Sequence, residues 1–221
     1  MIAFFVSSPA RLALMARLLH LPTREVDGGW RFLESEVGGA LFRAYEVQFG
    51  ADDAYAVTRL AARRGAKVMI PLLETTTTER IADREGLTPG AVMAAGDVWD
   101  LAGLGLLMRL MPDGASALPL DVADLLPKTP AWRAPEVGPA VGTLSELQGS
   151  RSLAAELDRR LHILLSDRQA SGFAQAAADS KTEFRPLAHL SRVLAKGRSW
   201  EASSDEALAE QLDGLVRSAA R

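Results

Sequence analysis

Ile2-Ala3-Phe4-Phe5-Val6 is a short apolar run that ends at Ser7-Ser8-Pro9. Consecutive apolar residues with two aromatics and a β-branched end read as a strand buried on both faces. Ser8 then stands as an N-cap and Pro9 at the first helical position, where a missing N–H costs nothing. Leu12, Met15, Leu18 and Leu19 follow at helical spacing, and Pro22 closes that helix. A buried strand feeds a helix here, and strands and helices follow in mixed order down the chain.

Trp30 to Glu36 and Leu41 to Phe49 flank Gly38-Gly39 and read as a hairpin. Asp52-Asp53 opens a helix whose apolar face is Ala54, Val57, Leu60 and Ala61, and Gly65 closes it. Acids at its start and Arg63-Arg64 at its end suit the helix dipole. Lys67 to Leu73 reads as a buried strand in which Pro71 either weakens the pattern or marks the end. Thr75 to Thr78 is a polar run after it. Further strands are expected at Gly90 to Ala95, Val137 to Leu144, Leu161 to Leu165 and Phe184 to Leu190, with helices at Ser150 to Arg160 and Asp167 to Asp179. Pro112, Pro119, Pro127, Pro130 and Pro135 make residues 112–136 the most loop-like stretch. Ser203 and Glu206 form a capping box ahead of an amphipathic helix over 204–220, with Leu208, Leu212, Leu215, Val216 and Ala219 on one face. The series is mixed α/β, a central sheet covered by helices, in one domain over 1–221.

Length and charge narrow the function. A chain of 221 residues buries a core without staples. With 25 basic against 28 acidic residues the net charge is −3, which argues against a nucleic-acid partner. The absence of cysteine excludes disulfides, thiolate metal sites and cysteine nucleophiles. No apolar run approaches the roughly 18 residues of a membrane helix, and the start lacks the basic flank of a leader. The expected address is the cytoplasm, with no membrane partner.

Motifs with built-in chemistry are missing: no P-loop, no His-Glu-x-x-His, no Gly-x-Ser-x-Gly elbow. Gly103-Leu104-Gly105 lacks the last glycine of a dinucleotide fingerprint and reads as a turn. No metal or cofactor is expected. His20, His162 and His189 are far apart, each either catalytic or a satisfied core or surface side chain. Thr75 and Thr76 place hydroxyls beyond a strand's carboxyl end, where open α/β sheets bind ligands; a β-prone edge is the rival reading. Trp99 could stack on an aromatic ligand or pack in a core or interface.

Several segments, in order, resemble the nucleoside phosphorylase and nucleosidase superfamily. Gly65-Ala66-Lys67-Val68-Met69-Ile70 looks like the strand entry that leads to its glycine-bearing loop. Pro89-Gly90-Ala91-Val92-Met93-Ala94, with Asp97 and Asp100 behind it, is similar to its proline-glycine-aspartate strand and acidic turn. Val141-Gly142-Thr143-Leu144 resembles the strand before its nucleoside-contacting region. Ser166 to Ala177 resembles its valine-aspartate-methionine-glutamate helix, and Leu190-Ser191-Arg192-Val193-Leu194 its late valine-serine-aspartate strand end. The markers span about residues 1–200.

The resemblance implies a three-layer αβα sandwich around a twisted mixed sheet, a nucleoside or nucleotide ligand, phosphate as co-substrate in the phosphorylase branch, and a homo-oligomer such as a homodimer; Leu101 to Met111 and the Pro-rich segment after it are either its interface material or core. It also implies breakage of the bond between ribose C1′ and a base nitrogen. That chemistry needs a donor to the base, a carboxylate on the ribose hydroxyls and a water-activating base or phosphate-binding arginine. By position, the late-strand acid falls on Arg192, the ribose glutamate on Gln169 and the adjacent methionine on Arg168. The glycine loop falls on Leu72 to Thr75, the phosphate arginine near Ile70, and the nucleosidase acid near Pro9 to Arg11. Charged catalytic positions are thus exchanged for neutral or basic ones. Asp167 and Asp97 are the candidate catalytic carboxylates, with Glu74 and Asp100 also available; Gln169, Arg168, Arg192, Arg11, Thr75, Thr76 and Trp99 are the candidate ligand contacts. If Arg11, Arg168 and Arg192 converged, they would favour an anion through bidentate contacts. Three readings remain: an N-glycosidic enzyme with rearranged groups, a catalytically silent relative that binds a nucleotide or another small anion, and a scaffold retained for its assembly surface.

Overall fold

The computed structural model describes residues 1–18, 25–48, 50–101, 126–135, 137–144, 151–195, 198–201, 208–210, 212–214 and 217. His20, Gly103 to Gly105, most of the interface stretch, the greater part of the Pro-rich segment and the Ser203–Glu206 box lie outside them. In chain order the elements are β1 (Ile2–Val6), α1 (Pro9–Leu18), β2 (Glu25–Asp27), β3 (Trp30–Val37), β4 (Ala40–Glu46), α2 (Ala51–Arg63), β5 (Val68–Thr78), α3 (Glu79–Glu85), β6 (Val92–Ala94), β7 (Val98–Asp100), β8 (Ala140–Thr143), α4 (Arg151–Leu161), β9 (Ile163–Asp167), α5 (Ala170–Ser180), β10 (Glu183–Phe184), β11 (Leu187–Ala195) and β12 (Arg198–Glu201). The expected mixed α/β sandwich is what forms. One sheet runs β2-β3-β4-β1-β5-β9-β8-β7, and β11 pairs β5, β6 and β12.

Period-two alternation along the strands divides the core into two faces. Phe4, Val6, Phe42, Ala44, Ile70 and Leu72 bury against Leu12, Leu14 and Met15 of α1, and Leu208 and Leu212 join them. Ala3, Phe5, Tyr45, Met69 and Leu73 bury on the other side against Ala54, Val57 and Ala61 of α2 and Ala170, Phe173 and Ala174 of α5. Tyr45 and Phe173 both pack on the Phe5 ring, at centroid separations of 5.8 and 5.2 Å. The α2–α5 contact is close because position 172 is glycine: a Cβ there would lie 1.9 Å from the Ala51 carbonyl oxygen.

β5 departs from the sequence expectation. It does not stop near Pro71 but runs to Thr78, so the threonine run is strand, not a loop beyond one. Threonine is β-branched and suits a pleated surface, and here both edges are paired: Thr76 lies opposite Arg192 of β11 and opposite Ser166 of β9. The hydroxyls are absorbed by neighbouring strands. Thr75 Oγ1 donates to the His189 carbonyl (3.0 Å) and Thr77 Oγ1 to that of Leu164 (2.7 Å).

Candidate functional site

β1 and β9 share one edge of β5 but run in opposite senses. β1 lies parallel to the first half, with Phe5 opposite Pro71. β9 lies antiparallel to the second half, with Ser166 opposite Thr76. β11 and β10 occupy the other edge. The carboxyl ends of β1 and β9 therefore face each other across Leu72 to Thr75. Each leads at once into a helix, so two helix starts and the ends of β1, β4 and β9 converge on one gap. This is the kind of place where an open α/β sheet binds ligands.

Polar side chains line it. Arg11, in the first turn of α1, is buried. Its Nε makes a 3.0 Å salt bridge with Glu74 Oε1, and its Nη2 lies 2.7 Å from His189 Nδ1. Guanidinium can only donate, so Nδ1 accepts and the neutral ring carries its proton on Nε2. Glu74 and His189 stand opposite each other on β5 and β11. The β1 end is pinned at the helix start, where the Arg11 backbone N–H donates to Ser8 Oγ at 3.3 Å; Ser8 and Pro9 thus act as the sequence predicts.

From the β9 side, Asp167 Oδ1 accepts the backbone N–H groups of Gln169 (2.6 Å) and Ala170 (2.8 Å) and so caps α5. Burial raises its carboxyl from 3.8 to about 6, against the lowering effect of those N–H donors and with the Glu74 charge adding to the rise. Gln169 is buried, and its Nε2 donates to the Val47 carbonyl at 3.2 Å, tying the start of α5 to the end of β4. Glu46, the last residue of β4, is 2% exposed. Its Oε1 accepts from Arg31 Nη2 at 2.6 Å and from Gln48 Nε2 at 2.5 Å.

Of the residues singled out in the sequence, Arg11, Asp167 and Gln169 meet at this gap. Thr75 and Thr76 border it as buried strand residues, Thr75 with its hydroxyl committed as described. Arg168 is exposed on the turn after Asp167, and Arg192 is partly buried on β11 opposite Thr76. Arg11 finds an acid and an imidazole rather than a cluster of arginines. Asp97 sits elsewhere: it precedes β7, which is parallel to β8 and β9, at the edge opposite the one that bears Asp167. Its Oδ1 accepts the Ala134 N–H at 2.8 Å, a loop-holding contact. Trp99 packs on the cluster of Leu101, Leu144, Leu157 and Ile163. His162 is exposed in a left-handed conformation (φ 51°) after α4. The sequence reading passed over Glu46 and left His189 undecided. Glu46 carries a signal: with Phe42 and Ala44 it lies on the inward-facing row of β4, where a carboxylate is out of place.

No protein-family model matches the sequence, and no curated protein does. Solved structures do match. A Helicobacter pylori 5'-methylthioadenosine/S-adenosylhomocysteine nucleosidase, crystallised with a pyrrolopyrimidine-pyrrolidinol compound, aligns at a TM-score of 0.72 and 10% identity over 98% of this chain and 97% of that one. The corresponding Neisseria meningitidis nucleosidase, in complex with methylthio-immucillin-A, aligns at 0.63 and 13% over 86% and 84%. A Toxoplasma gondii purine nucleoside phosphorylase, in complex with immucillin-H, aligns at 0.67 and 13% over 96% and 86%. The resemblance read from the sequence and the architecture thus arrive at one place: the chain has the fold of these nucleosidase and nucleoside phosphorylase structures, at 10–13% sequence identity.

Proposed function

We propose that this chain binds a nucleoside or nucleotide in the gap between the ends of β1 and β9, and that it breaks the N-glycosidic bond poorly or not at all. The observation that carries this reading is the Arg11–Glu74–His189 cluster. It stands where the family resemblance places an acid, and it ties up a carboxylate and an imidazole with a guanidinium. Glu74 is engaged by a guanidinium, and Gln169 brings no charge to stabilise a developing oxocarbenium ion. Arg192, at the position where the resemblance places the late-strand acid, brings a cation instead of a carboxyl. The fold and the nucleoside-analogue complexes of its neighbours support the ligand class.

The test is base release from adenosine, inosine, uridine and methylthioadenosine, with and without phosphate, beside thermal denaturation in the presence of each. The expected outcome is a saturable rise in melting temperature with no base release above background. Turnover of about 1 s⁻¹ on any of them, the low end of ordinary enzymes, overturns the silent half of the proposal. No thermal shift with any of them overturns the binding half.

One observation favours a second reading, N-glycosidic hydrolysis. Asp167 is buried, is raised to about 6 and lies near Glu74, so it could hand a proton to a departing base. In that case base release disappears in Asp167→Asn and, in the native chain, declines as pH rises through about 6.

A further inference from the structure

Glu46 is the most deeply buried acidic residue among the described residues. Phe42, Ala44 and Glu46 share one face of β4, and the first two are buried against α1. Glu46 continues that row into the gap, with a side chain only 1% exposed. Nothing about packing requires a charge there. Both of its hydrogen bonds, from Arg31 and Gln48, go to Oε1. Oε2 is buried and has no partner among the described residues. A carboxylate oxygen is acceptor-only, and one left unpaired in the interior is costly. The arrangement pairs one oxygen with Arg31 while holding the other in reserve.

Two neighbours place Glu46 at the border of the proposed site. Val47, the next residue, takes the Gln169 amide, so this strand end is joined to the start of α5. Val6 is the register partner of Glu46, and the following residue, Ser7, has a buried Oγ that also lacks a partner among the described residues. Adjacent strand ends thus present a spare carboxylate oxygen and a spare hydroxyl.

We infer that Glu46 is a ligand-binding carboxylate, its Oε2 accepting a hydrogen bond from a sugar hydroxyl of the bound nucleoside, with Ser7 as the accompanying contact. This rests on the nucleoside reading above. A hydroxyl suits the oxygen better than a cation does, because Arg31 already balances the charge. It also suits it better than a phosphate, which the carboxylate would repel.

The experiment compares whichever of adenosine, inosine and uridine binds with its 2′-deoxy and 3′-deoxy forms, by titration calorimetry on the native chain and on Glu46→Gln. The native chain should lose about tenfold or more in affinity for at least one deoxy form, the scale of a hydrogen bond to a charged group. In Glu46→Gln that gap should shrink to near unity, through loss of affinity for the parent nucleoside. Equal affinity of the native chain for all three forms overturns the inference, and so does a gap that persists unchanged in the variant. Should Glu46→Gln not fold, Glu46→Asp takes its place: it keeps the charge but withdraws the oxygens, and an undiminished gap there is equally fatal. If no nucleoside binds the native chain, the nucleoside reading itself falls, an outcome visible before any variant is made.

Discussion

Arg11 and Asp167 reach the gap from opposite sides, and each makes a separate prediction. Replacing Arg11 by Met leaves His189 buried and Glu74 without its cation. Breaking a fully buried ion pair costs about 3–5 kcal/mol, but Glu74 is 39% exposed and water recovers part of that. A loss of about 2 kcal/mol is expected, read as a lower denaturant midpoint at unchanged slope. Asp167 responds to pH. Its folded-state value of about 6 lies above the ordinary 3.8, so the folded state binds the proton more tightly. The resulting stabilisation is complete below about pH 4 and is lost as pH rises through 6, on the order of 3 kcal/mol in all. Asp167→Asn keeps an oxygen for the α5 cap and removes the titration. Melting curves from pH 4 to 7 should show this downward component in the native chain and lack it in the variant; identical slopes would contradict the assignment.

At the scale of elements, the meeting of α2 and α5 depends on Gly172. An alanine there must push its Cβ against the Ala51 carbonyl, which is backbone and cannot swing away. Gly172→Ala is expected to cost about 3 kcal/mol and so lower the melting temperature by roughly 6–12 °C. Survival of the native melting temperature would mean that the helices can separate cheaply. β5 shows where local sequence signals stop. Lys67 to Leu73 announces a strand through its apolar run, but the threonines that continue it are polar, and only β9 and β11 on either side make them strand. Thr75→Val should cost about 1 kcal/mol by removing the hydrogen bond to the His189 carbonyl, measured by chemical denaturation.

For the molecule as a whole, the architecture was readable in the sequence and the site only partly so. Ile2 to Val6, the Asp52 helix and the hairpin around Gly38-Gly39 are written in neighbouring residues, whose periodicity survives any tertiary setting. Arg11 and His189 are 178 positions apart, and no local pattern links them. Asp167 and Gln169 sit together at a strand-to-helix turn, a local feature on which the family resemblance falls. Asp97 had a similar local setting but lies at the other edge of the sheet, a matter of strand direction that spacing does not encode. If the gap holds a nucleoside, ligand at a hundred times its dissociation constant should add about 2.7 kcal/mol to stability, or about 5–10 °C in melting temperature. Hydrogen exchange should slow together at Ser7 to Arg11, Glu46 to Gln48 and Asp167 to Ala170. Protection confined to one of these segments would mean that the ligand does not span the gap.

The head-on meeting of β1 and β9 along β5 has an evolutionary corollary. Side chains of β5 alternate between faces, so losing or gaining one residue between Leu72 and Thr75 would carry Glu74 to the wrong side of the sheet and bring Leu73 into its place. Descendants of this gene can exchange residues in that interval one for another, whereas a change of length keeps the site only where a bulge absorbs it.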